Sequence, residues 1–243
     1  MKENKYDDPV FFEKYSQMGR SQKGLSGAGE WEDLQKILPD FAGKAVLDLG
    51  CGYGWHCIYA AEHGAAHVTG VDLSQKMLEV ARNKTQFPQV EYIQGAIEDV
   101  TLPESTFDIV FSSLTIHYLK SFEDFVEKVY GWLRPGGDFV FSVEHPVFTA
   151  YGSQDWYRDE SGEILHFPVD RYFYEGERKA DFLGESVVKY HRTLTTYLDN
   201  LLTHGFSLRR VVEPKPPQSM MDIPGMADEL RRPMMLLVAA QKR

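Results

Sequence analysis

Ala45-Val46-Leu47-Asp48-Leu49, followed at once by Gly50-Cys51-Gly52-Tyr53-Gly54, is the stretch on which the reading of this chain turns. Five mostly apolar residues closed off by glycines read as a short strand buried on both faces. From Trp55 to His63 the sequence is helix-compatible, and Gly64 is placed to end that helix in a left-handed turn. A strand, a glycine turn and a helix in that order let backbone approach a nucleotide closely, although glycines can also do no more than turn the chain. Asp72 weighs toward the ligand. It ends the next strand-like run, 18 positions after Gly54, where a carboxylate can accept both hydroxyls of an adenosine ribose.

The same alternation extends outward. Upstream, Trp31, Leu34, Ile37 and Leu38 have helical spacing, and Pro39 stops that helix. Downstream, strands are expected at 67–71, 90–94, 107–113 and 138–143, with helices at 74–84 and 121–133 between them. Arg134-Pro135-Gly136-Gly137 reads as the turn before the fifth strand. After an irregular stretch over 146–190 come a helical stripe from Leu194 to Leu202, a strand over 206–212, a proline-rich loop and a last strand over 234–240. Alternating strands and helices imply right-handed βαβ units, hence an α/β fold with a doubly wound, mostly parallel sheet and helices on both faces.

Which nucleotide is it? A dinucleotide fingerprint, G-x-G-x-x-G, needs its third glycine where this chain has Trp55; here that glycine arrives one residue early. The order Asp-x-Gly-x-Gly-x-Gly resembles the first motif of the class I (Rossmann-like) S-adenosylmethionine-dependent methyltransferases. Further matches are Gly95-Ala96-Ile97-Glu98-Asp99 at the adenine turn, Phe107 to Leu119 as the segment beneath the sulfonium, and Leu133 to Gly137 before the fifth strand. Together they cover about residues 45–143, and the chain is similar to the small-molecule, type 11-like branch. The resemblance implies seven strands with the last antiparallel, and S-adenosylmethionine as cofactor with S-adenosylhomocysteine as product. It also implies a cofactor site built from Asp48, Gly50, Cys51, Gly52, Tyr53, Gly54, Asp72, Leu73, Ala96, Ile97, Glu98, Ser112 and Leu114. By similarity to certain bacterial members, Tyr15 and Arg20 close over the methionine carboxylate from an N-terminal helical cap at 1–40. A single methyltransferase domain over 1–243 is the expected organisation.

Methyl transfer from a sulfonium needs alignment and a dry pocket more than it needs a base. Where the acceptor must lose a proton, histidine is the side chain poised near neutral pH. His117 after the fourth strand, His145 at the end of the fifth and His191 at the start of the helix after the irregular stretch are the candidates. Each also has a bland reading as a structural or solvent-facing residue. Between Phe148 and Tyr190 lie ten aromatics, a density above the chain's 13%. They are expected to form a lid over an apolar acceptor at 146–190, with packing or a homodimer interface as the alternative.

With a formal net charge of −10, the 243-residue chain repels polyanions on average, so nucleic acid is not the expected partner. Ser112-Ser113-Leu114-Thr115 also lacks the proline-rich tetrapeptide of amino-methylating DNA enzymes. Cys51 and Cys57 have neither zinc-ligand nor disulfide-framework spacing, and no metal site is expected. No leader-like or membrane-length apolar run occurs, so a cytoplasmic enzyme acting on an O, N or C atom of a small organic molecule is expected. A silent cofactor-binding regulatory protein and a nicotinamide-dependent oxidoreductase remain the alternatives.

Overall fold

A computed structural model describes residues 4–243; the first three residues of the expected N-terminal cap lie outside them. Three short helices open the chain: α1 (Pro9–Ser16), α2 (Gly19–Lys23) and α3 (Trp31–Gln35). Asp8 starts α1 by accepting the N–H groups of Val10 and Phe11 at 2.9 and 3.0 Å, with Pro9 pre-set in the first turn. Strands β1 (Ala45–Leu49), β2 (His67–Asp72), β3 (Val90–Gln94), β4 (Phe107–Ser113) and β5 (Leu133–Glu144) then alternate with α4 (Trp55–Glu62), α5 (Gln75–Lys84) and α6 (Phe122–Trp132). Ser74 and Ser121 cap α5 and α6 through their hydroxyls.

The region after β5 holds a one-turn helix α7 (Pro146–Ala150) and two hairpins, β6 (Tyr157–Arg158) with β7 (Ile164–His166), and β8 (Gly176–Phe182) with β9 (Glu185–His191). Helix α8 (Leu194–Thr203) and strands β10 (Phe206–Val212) and β11 (Met235–Lys242) complete the chain. Seven strands form one sheet in the order β10-β11-β5-β4-β1-β2-β3, and β11 alone runs antiparallel to its neighbours. This is the expected sheet.

Strand alternation divides the core. Leu47 and Leu49 of β1 point into a cluster with Phe122, Phe125, Phe139 and Phe141, while Val46 packs on the other face with Phe41, Cys57 and Ala60. Strand order reverses beside β1, which has β2 on one side and β4 on the other. That switch point opens a crevice beyond the strands' C-terminal ends.

Two local expectations are corrected. Arg134 to Gly137 does not separate α6 from β5; it bulges within β5, whose register to β4 jumps from Phe107↔Leu133 to Ile109↔Asp138. His191 does not begin a helix; it ends β9, and α8 starts three residues later under a Thr193 cap. The β8–β9 hairpin escaped the sequence reading because its two-residue loop is Leu183-Gly184, with φ +57° and +76°. Such a mirror-image turn normally announces itself as Asn-Gly or Asp-Gly. Leu183 therefore holds a left-handed conformation that costs about 1 kcal/mol. Leu183→Asn is expected to raise the melting temperature by about 2–4 °C, read by thermal denaturation; a lowered value would mean that Leu183 packing outweighs the strain.

Candidate functional site

The crevice is a cavity of about 670 Å³. Its floor is the C-terminal ends of β1, β2, β4 and β5, and its roof is the N-terminal segment together with the β8–β9 hairpin. The two roof pieces meet: Lys14 Nζ donates to Leu183 O at 2.9 Å, and the Phe11 and Phe182 rings lie 5.9 Å apart.

At one end, Asp72 closes β2. Its Oδ2 accepts the Gly52 N–H and its Oδ1 the Ser74 N–H, both at 2.8 Å. Each oxygen keeps a lone pair for a ligand. Burial raises the carboxyl to about 6, against the N–H groups of Ser74 and Gly52, which lower it. Gly50 and Gly52 bring bare backbone to the same end, and Leu73, Ala96, Ile97 and Glu98 wall it. Gly50 has φ +76°, and a Cβ there would lie 2.2 Å from Thr115 Oγ1. A Cβ on Gly52 would meet nothing within 4 Å, so that residue faces open space.

Tyrosines line the middle of the cavity. The Tyr6 and Tyr118 hydroxyls are 3.4 Å apart, and Tyr6 meets Tyr15 edge-on at 5.2 Å. Burial, first of all, pushes Tyr6 well above its ordinary value and Tyr118 upward too, so both are protonated hydroxyls at neutral pH. Asp7 fastens Tyr6 in place by accepting from Ser74 Oγ at 2.6 Å and Lys76 N at 3.1 Å at the start of α5. Arg20 also lines the cavity, but one of its terminal nitrogens lies 2.8 and 2.9 Å from the two oxygens of the buried Glu30.

The far end contains His117, Glu144, Phe182, Val187, Tyr190, Met234 and Met235. His117 sits in a 3₁₀ turn just after β4 (Ile116–Tyr118), 2% exposed, and burial lowers it to about 4. Glu144 Oε1 pairs with Lys189 Nζ at 2.6 Å, and Glu144 Oε2 accepts from Gln154 at 2.7 Å. Burial works to raise the Glu144 carboxyl, but His117 and Lys189 overcome it and hold it below the usual range.

Of the expected site residues, Tyr15, Arg20, Gly50, Gly52, Asp72, Leu73, Ala96, Ile97, Glu98, Leu114 and His117 line the cavity. The others are placed elsewhere. Asp48 shares the Val46 face of β1, turned toward α4, where its Oδ2 accepts from Cys57 Sγ at 3.3 Å. Cys51 is buried in the α4 core, and Tyr53 packs on Phe12 and Tyr15. Gly54 is required by packing, since a Cβ would lie 2.2 Å from the Tyr92 hydroxyl oxygen. Ser112 is fully buried and donates to Leu49 O.

Nor do His145 and His191 line the cavity. His145 caps α7 by accepting the Val147 N–H at 3.0 Å, and its Nε2 lies 2.9 Å from Glu213 Oε1. His191 has Nδ1 2.7 Å from Thr149 Oγ1 and Nε2 2.8 Å from Tyr172 O, so both ring nitrogens are occupied, one in tying β9 to α7 and the other in tying it to the loop before β8. Only Phe182 and Tyr190 of the ten aromatics reach the cavity. Phe148, Trp156 and Phe167 instead surround the Arg232 guanidinium at 4.4 to 5.0 Å, and Phe173 is 86% exposed.

Sequence reasoning missed Tyr6, Lys189 and the two methionines. Lys189 did leave a signal: it falls on the buried alternation of Val187, Lys189 and His191, where a charge must be paired. Among the described residues no group of three metal-ligating side chains occurs, and no helix is long and apolar enough to cross a membrane.

A methyltransferase-domain family model matches residues 47–141. The chain is 58% identical to a solved Listeria monocytogenes structure assigned as an S-adenosylmethionine dependent methyltransferase. That match covers 90% of this chain and 99% of that one, with a TM-score of 0.87. An S-adenosylmethionine dependent methyltransferase from Mesorhizobium loti is 43% identical, over 90% of this chain and all of its own, with a TM-score of 0.83. A malonyl-[acyl-carrier protein] O-methyltransferase from Pectobacterium atrosepticum is 35% identical over 52% of this chain, which spans only 49% of that relative.

Proposed function

The chain belongs to the S-adenosylmethionine-dependent methyltransferases, and from that premise we propose that it methylates an O, N or C atom of a small organic molecule held at the far end of the cavity. The observation that carries this reading is the cavity's continuity. One continuous space runs from the Asp72 carboxylate to the Tyr190, Phe182 and Met235 wall. Its volume lies in the range of small-molecule sites.

The residues present fit the cofactor. Gly52 faces open space, Asp72 keeps free lone pairs for two ribose hydroxyls, and Ala96 and Ile97 offer an apolar wall to adenine. Bound there, S-adenosylmethionine supplies a methyl group already activated on a sulfonium. Tyr6, Tyr15 and Tyr118 then exclude water from the middle of the cavity. Arg20, steadied by Glu30, presents its remaining donors toward the methionine carboxylate. The N-terminal segment and residues 146–190 act as two halves of a cover, with the β8–β9 hairpin as the part over the acceptor. A macromolecular acceptor would have to part that cover, whereas a small one needs only to enter it.

Protein incubated with methyl-labelled S-adenosylmethionine and a low-molecular-weight metabolite extract is expected to place label in a small molecule. Label confined to protein or nucleic acid in a whole lysate would contradict the proposal. A pH dependence follows from Asp72. Its ionised form accepts both hydroxyls, and its value is raised to about 6. Cofactor affinity is therefore expected to be constant above about pH 7 and to fall as the pH drops through 6, measured by calorimetry. Affinity unchanged down to pH 5 would count against Asp72 as the ribose acceptor.

A further inference from the structure

The hydrogen bonding of His117 fixes which of its nitrogens carries the proton. Nδ1 accepts the backbone N–H of Glu144 at 3.4 Å, at a β5 residue paired to Met235 of β11. Tyr118 lies against the ring, 4.4 Å between centroids. A ring nitrogen that faces an N–H must be unprotonated, so the single proton of a neutral imidazole sits on Nε2. Exchanging the tautomer would set two N–H groups against each other. That leaves a buried donor without a partner. Nε2 has no hydrogen-bond partner among the described residues, and the ring lines the cavity.

We propose that His117 serves the methyl acceptor as a hydrogen-bond donor through Nε2–H, so that the acceptor presents a neutral oxygen, a carbonyl, hydroxyl or ether, at this point. The proposal rests on the methyl-transfer reading above and adds the chemistry of the acceptor's polar handle. His117 is then an anchoring residue, and it takes no proton from the acceptor.

The charged groups around the ring agree with this. Glu144 from β5 favours the charged form, but burial, the largest influence, is reinforced by Lys189 of β9, Arg192 just beyond it and Arg20 of α2, and together they lower the ring to about 4. At neutral pH the ring is uncharged, with its Nε2 lone pair unavailable. An ammonium or an amine N–H would put donor against donor. A carboxylate would meet Glu144, which lines the same cavity. A neutral oxygen meets neither obstacle.

Two-bond ¹H–¹⁵N spectra of the full-length, ¹⁵N-labelled protein read the tautomer directly, with the His117 signals assigned by their loss in His117→Gln. The spectra are recorded with and without S-adenosylhomocysteine. The expected result is the Nε2–H tautomer, unchanged from about pH 5.5 to 8.5. An Nδ1–H tautomer, or conversion to imidazolium within that window, would overturn the assignment. Acetophenone and benzylamine, added at millimolar concentration to the S-adenosylhomocysteine-loaded protein, test the ligand class. Acetophenone is expected to shift the His117 Nε2 and attached-proton signals, and benzylamine to leave them in place. A shift with benzylamine, or none with acetophenone, would overturn the neutral-oxygen handle. Calorimetry with S-adenosylhomocysteine on the same sample keeps the two readings apart. Failure to bind it would sink the cofactor site and leave the tautomer result standing.

Discussion

Asp72→Asn is expected to weaken S-adenosylmethionine binding by about 100-fold while leaving the melting temperature within about 2 °C of the wild type. The affinity loss has two sources. A carboxylate accepting two hydroxyls makes charge-assisted hydrogen bonds worth about 1.5–3 kcal/mol each, and an amide keeps only one accepting oxygen. The NH₂ of that amide must also face the N–H of Gly52 or of Ser74, each now held at 2.8 Å, so the glycine loop shifts. Stability changes little because the wild-type carboxylate is itself strained by burial, as its raised value records. Calorimetry and a thermal melt on the same preparation separate the two effects. Unchanged affinity would place the ribose elsewhere, and a large fall in melting temperature would make Asp72 a structural residue.

The second large effect concerns the Lys189–Glu144 pair at the acceptor end, which joins β9 to β5. Lys189→Met is expected to cost about 3–5 kcal/mol, or about 10 °C in melting temperature. Lys189 is 3% exposed and its ammonium is held by Glu144 and Gln154 at 2.6 and 2.8 Å. Removing it leaves the Glu144 carboxylate, itself 14% exposed, without its cation. The pH dependence near the pair reverses sign. In the wild type the Glu144 carboxyl is held low, so its contribution is present above the ordinary carboxylate range and lost as pH falls through its folded value. In the variant the carboxyl rises, so protonation relieves it and the deficit shrinks toward acid. Glu144→Gln with Lys189→Met removes both charges and is expected to recover most of the loss. A single variant as stable as the wild type would mean that the pair contributes nothing.

Much of the fold was legible because local and global signals agree. The run from Ala45 to Leu49, its glycines and Gly64 mark β1, its turn and the end of α4, and the strands at 90–94 and 107–113 fall where apolar runs placed them. What stayed hidden lay where one signal overrode another. Arg178, on the same face of β8 as Ala180 and Phe182, broke the apolar alternation, and Leu183 stood where a turn residue was expected. Within the site, Asp72 and Gly52 were readable from spacing alone. Asp48 was not, because a motif position says nothing of the face on which a strand residue points. His145 and His191 illustrate the same limit: a histidine near a strand end can serve as a cap or a tie. Burial of the roof depends on contacts between residues more than 160 positions apart, such as Lys14 with Leu183, and no local pattern encodes those.

The most direct test of the account is a crystal structure of the protein with S-adenosylhomocysteine. It is expected to show the ribose hydroxyls on Asp72, the adenine against Ala96 and Ile97, and the sulfur directed toward the space bounded by His117, Tyr118 and Tyr190. Cofactor density outside this cavity, or a ribose turned away from Asp72, would contradict it.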